Sequence, residues 1–391
     1  MSKNVLLGIT GGIAAYKMVE VASQLYKKDY NVQVVMTKNA SKFVSPLTFR
    51  SITGNPVKVD LFHDEGDYNV KHISLADNAD ICLIGPATAN IIAKLAAGIA
   101  DDLLSTTILA TESKVILAPS MNAKMYNNPV LQDKLKYLSD KGYIIIEPET
   151  GNLACGYKGK GRLPEPDFLV EWVIKELTKK DLLEKRILIT AGPTCEPMDP
   201  VRYLSNYSTG KMGYSLARAA VNRGAKVILV SGPTSLKPPV GVKTHYIQTA
   251  QELAENVEEL KYDSDIIIMA AAVSDFRPAE YKDNKIKKGY LDYLSLELKS
   301  NPDIIANIGK SRKQGQLLVG FAVESEDILE NARNKLIKKN LDLIIANDIS
   351  SFGSDDNEIT LITEDYIEEI PRMNKKQIAD IIFDKIVELM E

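Results

Sequence analysis

Cysteine is scarce in this chain of 391 residues: only Cys82, Cys155 and Cys195 are present, and they lie far apart. An odd number of cysteines without a C-x-x-C pair argues against a disulfide framework and against a cysteine-ligated zinc site. Scattered free cysteines are typical of proteins in a reducing compartment. We therefore expect a cytoplasmic protein that does not bind metal through cysteine.

The sequence also lacks an excess of charge and a long apolar segment. Lys and Arg number 48 and Asp and Glu 52, so the net charge is -4. No overall basic field favours binding to nucleic acid or to a membrane surface. No apolar stretch reaches the roughly 18 residues that can span a bilayer. Hydrophobic residues make up 45% of the chain and charged residues 26%, which is ordinary globular composition and rules out a disordered, collagen-like or coiled-coil chain.

Short apolar runs rich in β-branched residues alternate with helical patterns along the whole chain. Such runs, bounded by Gly and Asn, predict buried parallel strands joined by crossover helices. The alternation restarts after a helical run at 167–180. We predict an α/β protein of two tandem domains, 1–180 and 181–391, each a doubly wound, mostly parallel sheet in a three-layer flavodoxin-like or Rossmann-like arrangement. The predicted strands are NVLLGIT, NVQVVMT, ADICLIGPAT, KVILAPS and YIIIEP in the first domain, and RILITAGPT, AKVILVSG, DIIIMAAAV, QLLVGFAVE and LDLIIAND in the second.

The segment from Glu149 to Pro166, ETGNLACGYKGKGRLPEP, is rich in Gly and in cations. Its composition does not suit a core element. We predict a long surface loop there, and long loops in compact domains are often lids over a site.

A glycine-rich turn, Gly8 to Ile13, follows the first predicted strand. It lacks the G-x-G-x-x-G spacing, and the second strand ends in Thr37, where a dinucleotide fold usually has an acid for the ribose, so NAD is disfavoured. Small residues and hydroxyls at this edge suit the phosphate of FMN, although the glycines could equally serve only to make tight turns. The candidate FMN-binding residues are Gly11, Gly12, Ile13, Thr37, Thr88 and Asn90.

In the second domain, the run Ser205 to Lys211 opens a predicted helix and resembles a phosphate-binding turn. It is not a P-loop, because Ser205 replaces the first Gly and Met212 replaces the Mg²⁺-binding hydroxyl. The cationic run at 285–288 is by itself typical of a solvated face. Asp275 follows a predicted strand at the edge where a nucleotide would lie, and this favours a nucleotide site.

Several motifs together resemble a known family over nearly the whole chain. The first half contains KHISLA, PSMNAKM and ACG, and the second contains YLSNYSTGKMG, AAAVSDFRP, KIKK, NPDI and GFAVE, in this order. The chain resembles the bifunctional phosphopantothenoylcysteine decarboxylases and phosphopantothenate-cysteine ligases of coenzyme A biosynthesis. Its first half is similar to the homo-oligomeric flavin-containing cysteine decarboxylases.

For the first half, the resemblance implies an FMN-dependent decarboxylation of phosphopantothenoylcysteine to 4'-phosphopantetheine. Cys155 is then the proton donor, with cations in its loop that could lower its thiol pKa. His72, at the start of a predicted helix, is the expected base at the flavin. Asn122 is expected to donate its amide to the substrate carboxylate.

For the second half, the resemblance implies CTP-dependent ligation of 4'-phosphopantothenate to L-cysteine through an acyl-cytidylate, with Mg²⁺ whose ligands stay unassigned. Asn206 is expected to orient the acyl-cytidylate, and Lys285 to stabilise the transition state. Lys335 and Lys339 lie one helical turn apart and could hold phosphates, although such a pair is by itself typical of a solvated face. The expected CTP contacts are Asp275, Lys285, Pro302, Asp303, Ile304, Ile305, Phe321, Lys335 and Lys339.

The resemblance also implies a homo-oligomer, with decarboxylase trimers, ligase dimers and possibly a dodecamer that shares flavin sites between subunits. A flavin-binding regulatory or scaffold protein of the same fold is the alternative. It would require the loss of His72 or Cys155, and both are present. A nicotinamide-dependent dehydrogenase is disfavoured by Thr37 and by the missing glycine motif.

Overall fold

The computed structural model describes residues 2–61, 71–152, 158–287, 294–324, 328–348 and 353–390. The chain divides into two compact units, Met1–Thr178 and Lys179–Glu391. No helix among these residues is long and apolar enough to cross a membrane.

The first unit contains a five-stranded parallel sheet of order β2-β1-β3-β4-β5 and a separate two-stranded antiparallel sheet of β6 and β7. The sequence order 2-1-3-4-5 is that of flavodoxin-like folds, and the strand order reverses between β1 and β3. The strands are β1 Asn4–Ile9, β2 Asn31–Met36, β3 Ile81–Ala87, β4 Lys114–Pro119, β5 Ile144–Ile145, β6 Glu149–Asn152 and β7 Lys158–Arg162.

Helices connect these strands and cover both faces of the parallel sheet. Val5 and Leu7 lie in the core on one face, and Leu6 lies in the core on the other. Because successive strand residues point to opposite faces, an uninterrupted apolar strand implies a sheet buried on both sides. The α-helices are α1 Lys17–Tyr26, α2 Pro46–Thr53, α3 Lys71–Asn78, α4 Ala89–Ala97, α5 Leu103–Ala110, α6 Ala123–Tyr126, α7 Pro129–Asp140 and α8 Pro166–Leu177.

The second unit is built on an eight-stranded sheet of order β12-β11-β8-β13-β16-β17-β18-β19. Its first six strands are parallel, and their order along the chain is 3-2-1-4-5-6, the Rossmann order, with a reversal between β8 and β13. The strands of this sheet are β8 Arg186–Ala191, β11 Lys226–Ser231, β12 Lys243–Tyr246, β13 Ile266–Met269, β16 Leu317–Glu324, β17 Leu343–Asp348, β18 Asp356–Ile362 and β19 Ile367–Asn374. Two separate two-stranded sheets are formed by β9 Glu196–Pro197 with β10 Tyr203–Leu204 and by β14 Phe276–Pro278 with β15 Leu298–Ser300.

Helices again cover both faces of the large sheet. Residues of α9 and α13 pack with Ile187 and Ile189 on one face, whereas residues of α10, α11 and α12 pack with Leu188 on the other. The helices are α9 Lys211–Asn222, α10 Ala250–Leu260, α11 Ile304–Ser311, α12 Ile328–Lys338 and α13 Lys375–Glu388. A capping box between Thr249 and Glu252 fixes the start of α10.

Two segments differ from the sequence analysis. The surface loop predicted between Glu149 and Pro166 is wrong in part, because β6 and β7 pair as an antiparallel ladder there. Composition alone hides this pairing, since glycines and lysines are poor strand formers. The antiparallel strands β18 and β19, which extend the large sheet beyond β17, were not predicted either.

Candidate functional site

The first unit has a cavity of ≈ 740 Å³ at the carboxyl edge of its parallel sheet. Its lining includes Gly11, which follows β1, and Thr88, which follows β3, so the cavity lies at the point where the strand order reverses. Ligands of open α/β sheets bind at this position. Of the predicted FMN residues, Gly11, Thr37, Thr88 and Asn90 line the cavity.

Thr10, which the sequence analysis did not select, holds the two loops of this cavity together. Its hydroxyl donates to the carbonyl of Pro86 at 2.5 Å, and the backbone N–H of Thr88 donates to Thr10 Oγ1 at 3.3 Å. The predicted residues Gly12 and Ile13 lie next to this loop, outside the described lining, and Ile13 is 61% exposed.

The cavity wall beside Gly11 leaves no room for a side chain. A Cβ at this position would come within 2.6 Å of the Cβ of Asn39. Neutral donors surround the same place: Thr37 and Thr88 contribute hydroxyls, and α4 begins just after Thr88. Small residues, hydroxyls and a helix N-terminus suit a phosphate group, so the residues present fit the phosphate of FMN.

Lys38 and Lys94 are the two cations of the described cavity wall, and both are paired with acids: Lys38 lies 3.0 Å from Asp60. Lys94 has two acidic partners. Its ammonium lies 2.6 Å from Asp101 and 3.1 Å from Asp102. The hydrogen bond to Asp101 holds the pKa of Lys94 above its ordinary value. The two carboxylates therefore largely neutralise the positive charge of Lys94.

The three predicted catalytic residues of the first half lie on different elements. His72 is half-buried at the start of α3, and Asn122 is the N-cap of α6, where its Oδ1 accepts from the backbone N–H of Lys124 at 2.8 Å. Neither belongs to the described lining of the cavity, although Met125 of α6 does. Cys155 lies outside the described residues.

Strand β7, which follows Cys155 in sequence, is attached to the loop of Asn122. The backbone N–H of Met121 donates to the carbonyl of Gly161 in β7 at 3.0 Å. Lys160 pairs with Glu147 at 2.5 Å and Arg162 with Glu165 at 2.6 Å, so two of the cations that follow Cys155 in sequence already have acidic partners.

The other two cysteines are buried. Burial raises the pKa of the Cys82 thiol to about 12, so Cys82 stays protonated and unreactive. Cys195 lies with its Sγ 3.5 Å from the Oγ of Ser205. Cys82 therefore provides a matched internal control for Cys155.

The second unit has a cavity of ≈ 530 Å³ at the carboxyl edge of its large sheet, again where the strand order reverses. Loops that follow β8 and β13 form its centre. This cavity brings together nearly all of the residues predicted for CTP and for the acyl-cytidylate, although they are spread over more than 130 positions of the sequence. They are Asn206, Asp275, Pro302, Asp303, Ile304, Ile305, Phe321, Lys335 and Lys339.

Asn206 connects the two central loops of this cavity. Its Nδ2 donates to the carbonyl of Ala272 at 2.7 Å, and its Oδ1 accepts from the backbone N–H of Ser208 at 3.0 Å. The next turn ends at Gly210, which has φ 77 and lies against Gly192, so a residue without a side chain is favoured there. Asn206 thus sets the position of the loop that precedes α9.

Lys339 is paired across the cavity with Asp303. Its ammonium lies 3.0 Å from the Asp303 carboxylate, whose Oδ1 also accepts from the backbone N–H of Ala306 and caps α11. Lys335 lies one turn earlier and is half-buried, as the helical spacing predicted. An incoming phosphate would compete with Asp303 for Lys339.

Lys285 lies outside the described lining of this cavity. Its neighbour Ile286 is held by a turn at Asp199: the backbone N–H of Ile286 donates to Asp199 Oδ2 at 3.0 Å, and Arg202 donates to the carbonyl of Ile286 at 2.7 Å. The hydrogen bond from Arg202 holds the pKa of Asp199 well below its ordinary range. The sequence analysis missed Asp199, because its partner lies 87 positions away.

Lys375 is a further cavity residue that the sequence analysis did not select. It begins α13, and its ammonium donates to the carbonyl of Ser354 at 2.7 Å. In the sequence it belongs to an ordinary Lys-Lys pair before a helix, and nothing in that pattern separates a buried lysine from a solvated one.

Among the described residues, no group of three or more His, Cys, Asp or Glu side chains could hold a metal ion. A Mg²⁺ ion that arrives with a nucleotide needs few protein ligands, because phosphates and water supply the others.

Comparison with known proteins assigns both units. Residues 1–178 match the family described as Flavoprotein, and residues 182–390 match the family described as DNA/pantothenate metabolism flavoprotein C-terminal domain. The coenzyme A biosynthesis bifunctional protein CoaBC of Bacillus subtilis is 46% identical over 397 residues, which cover 99% of this chain and 97% of the relative. The chain belongs to this bifunctional family.

Two further relatives with the same name support this assignment. The protein of Vibrio cholerae is 44% identical, with 99% of this chain and 98% of the relative covered. The protein of Borreliella burgdorferi is 44% identical, with 97% of each chain covered. Family membership confirms the predicted α/β fold and the prediction of an enzyme of coenzyme A biosynthesis that joins a flavoprotein decarboxylase to a ligase. It does not support the regulatory or scaffold alternative.

Proposed function

We propose that the second unit ligates 4'-phosphopantothenate to L-cysteine with CTP. A carboxylate oxygen of 4'-phosphopantothenate attacks the α-phosphorus of CTP, and pyrophosphate leaves. The cysteine amine then attacks the acyl carbon of the acyl-cytidylate and CMP leaves, so atoms balance over the two steps. The observation that supports this proposal is the single cavity that collects Asn206, Asp275, Phe321, Lys335 and Lys339 at the reversal of the strand order.

Asn206 and Lys285 have different roles in this proposal. Asn206 positions the loop before α9 through its bonds to Ala272 and Ser208, and it orients the acyl-cytidylate as a neutral group. Lys285 supplies a positive charge to the transition state. The exposed Lys285 must reach the reacting atoms from the segment that Asp199 anchors. Mg²⁺ is proposed to enter with CTP and to neutralise its phosphates.

We propose that the first unit binds FMN in the cavity lined by Gly11, Thr37, Thr88 and Asn90. Bound FMN would supply a two-electron oxidation of the cysteinyl thiol to a thioaldehyde and later return the electrons, so the overall decarboxylation to 4'-phosphopantetheine is redox-neutral. The thioaldehyde places the carboxylate β to a C=S bond, and loss of carbon dioxide delivers its electrons towards sulfur.

The residues of the chain have three tasks in this decarboxylation. Asn122, fixed by its capping bond to Lys124, holds the substrate carboxylate without a proton transfer, so the carboxylate can still leave. His72 acts as the base at the thiol. Cys155 returns a proton to the carbon that lost carbon dioxide.

We also propose that the enzyme is a homo-oligomer in which flavin sites are shared between subunits. The described cavity lining contains neither His72 nor Asn122, which agrees with a flavin site that a second copy completes. The exposed Ile13 and Tyr16, both 61% exposed and adjacent on one turn, provide an apolar contact surface beside the cavity. Decarboxylase trimers and ligase dimers within a larger assembly, such as a dodecamer, are the expected arrangement, and sedimentation of the purified enzyme tests it.

The purified protein tests the cofactor and substrate proposals together. It should be yellow and release FMN, not FAD, on denaturation. It should convert CTP to CMP only when phosphopantothenate and cysteine are both present. Gly11→Ala, whose Cβ would meet Asn39 at 2.6 Å, should lose FMN, whereas Gly12→Ala, with a nearest contact of 3.2 Å, should lose less. A colourless wild-type protein, or CMP release without cysteine, would contradict the proposal.

A further inference from the structure

The ligase cavity is lined by two pairs of lysines that belong to opposite faces of the sheet. Lys335 and Lys339 lie on and just after α12, whose residues pack on the Leu188 face. Lys211 and Lys375 begin α9 and α13, whose residues pack on the opposite face. The cavity therefore crosses the carboxyl edge of the sheet with a cationic end on each side.

Lys211 is held at its end of the cavity by neighbouring loop residues. Its ammonium lies 2.7 Å from Asp355 Oδ1 and donates to the carbonyl of Gly353 at 3.1 Å. Asp355 is highly exposed, so this ion pair is weak in energy and open to exchange. A phosphate that arrives in the cavity could take the place of Asp355.

Lys375 differs from ordinary surface lysines in its burial. It is 7% exposed, and its ammonium donates to the carbonyl of Ser354 at 2.7 Å. Burial and then the charge of Lys211 hold the pKa of Lys375 below its ordinary value, against the opposing charges of Asp355 and Asp356. An anion placed between Lys211 and Lys375 would relieve this repulsion.

Neutral polar side chains complete the same end. Asn347 at the end of β17 and Asn357 in β18 both line the cavity. Helices α9 and α13 also begin at this end of the cavity, and helix N-termini favour anions. Cations, amides and two helix starts together have the chemistry of a phosphate-binding site.

We propose that Lys211 and Lys375 form a second phosphate-binding subsite of the ligase cavity, on the face opposite Lys335 and Lys339. This inference rests on the proposed function, because ligation brings together two phosphorylated reactants in one cavity. The occupant is a phosphate group, either the terminal phosphates of the nucleotide or the phosphate monoester of the acid.

The test uses the full-length enzyme with Lys375→Met, which removes the charge and keeps the apolar stem of the side chain. Lys376→Met is the matched control, because this neighbouring lysine is exposed. Lys211→Met, at a less buried position, tests the same subsite with less risk to folding. Initial ligation rates are measured while CTP, phosphopantothenate and cysteine are varied in turn.

We expect Lys375→Met and Lys211→Met to raise the KM for one phosphorylated substrate at least about tenfold, with the KM for cysteine and the decarboxylation rate unchanged. A rise in the KM for CTP assigns the subsite to the nucleotide phosphates, and a rise in the KM for phosphopantothenate assigns it to the monoester. Lys375→Arg, which restores the charge, should recover part of the loss. Unchanged KM values for both phosphorylated substrates in the two Met variants would overturn the proposal, as would equal effects in Lys376→Met.

Measurements of ligand binding test the phosphate subsite independently of the proposed ligase activity. If the wild-type enzyme shows no CTP-dependent ligation, the proposed function fails, and the subsite is then judged by calorimetry alone. CTP and phosphopantothenate are each titrated into the wild type, Lys211→Met and Lys375→Met. An affinity that is at least tenfold weaker in both variants for either molecule supports the subsite, and equal affinities for both molecules overturn it.

Discussion

Asp199 accepts a hydrogen bond from the backbone N–H of Ile286 at 3.0 Å and thereby fixes the residue that follows Lys285. The same carboxylate binds Arg202, which in turn donates to the carbonyl of Ile286. The backbone N–H and the carbonyl of Ile286 are thus both held by the turn that contains Asp199 and Arg202. A lysine that stabilises a transition state must be placed accurately, so in the proposed mechanism Asp199 would be the positioning residue for Lys285.

The first prediction concerns this anchor. Asp199→Ala should lower the ligation rate by about 100-fold, because a displacement of about 1 Å at a reacting group can cost that much. The KM for CTP should change less than the rate, because Asp199 is not among the described cavity residues and the proposed charge of Lys285 acts mainly on the transition state. Asp283→Ala, at an exposed acid close in sequence to Lys285, is the control and should leave ligation unchanged. Full ligation in Asp199→Ala would show that the anchor does not position Lys285.

The second prediction separates the cysteines. Cys155→Ser should give a folded, yellow protein that still ligates but accumulates an oxidised, decarboxylated intermediate, because the final proton donor is missing. Mass spectrometry of the reaction products detects this species. Cys82→Ala is the control, since the buried Cys82 thiol has a pKa of about 12 and has no part in the chemistry. Normal product yield from Cys155→Ser would remove Cys155 from the mechanism.

The third prediction concerns Asn206, which bridges two loops and is proposed to orient the acyl-cytidylate. Asn206→Ala removes the bonds to Ala272 and Ser208 and should cost about 1–2 kcal/mol of unfolding free energy, at about 1 kcal/mol for each hydrogen bond. Ligation should fall much further than this loss of stability explains, while FMN content and decarboxylation persist. Thermal unfolding and single-turnover formation of the acyl-cytidylate measure the two effects. Joint loss of both activities would indicate a structural role alone.

The fourth prediction is a pH dependence of stability in the second unit. Burial alone would raise the pKa of Asp181, but hydrogen bonds and the charge of Arg223 outweigh it and hold the pKa below its ordinary value of 3.8. The stabilisation is therefore fully present above pH 3.8 and is lost as the pH falls through the lower folded-state pKa. Asp181→Asn should cost about 2 kcal/mol at pH 7 and less under acid conditions.

The control for this pH effect is an exposed ion pair. Glu184 and Lys226 are paired at 2.6 Å, with side chains 75% and 65% exposed. Glu184→Gln should change the unfolding free energy by less than about 1 kcal/mol at either pH, because exposed pairs contribute little. Denaturant unfolding at both pH values compares the two variants. Equal effects of Asp181→Asn and Glu184→Gln would show that the ion pair of Asp181 with Arg223 is not important for stability.

The alternation of apolar runs and helical patterns was enough to predict both parallel sheets, because crossover helices and doubly buried strands have local signatures. It also placed Gly11 and Thr88 at the carboxyl edge of the first sheet, and Asn206 and Asp275 at the carboxyl edge of the second. Ligands of such sheets lie beyond the carboxyl ends of the strands. The ladder of β6 and β7 escaped prediction because glycine and lysine give no strand pattern.

What the sequence alone determined about this protein is its two α/β units, its family and nine of the residues that line the second cavity. Only the tertiary structure added Lys211 and Lys375 to the cations of that cavity and showed what holds the charged groups. Lys339 pairs with Asp303, Lys375 is buried near Lys211, and Asp199 anchors the segment after Lys285. The reason is physical. Periodicity reports which face of an element is buried, whereas the partner of a charged side chain depends on contacts between positions far apart in the chain.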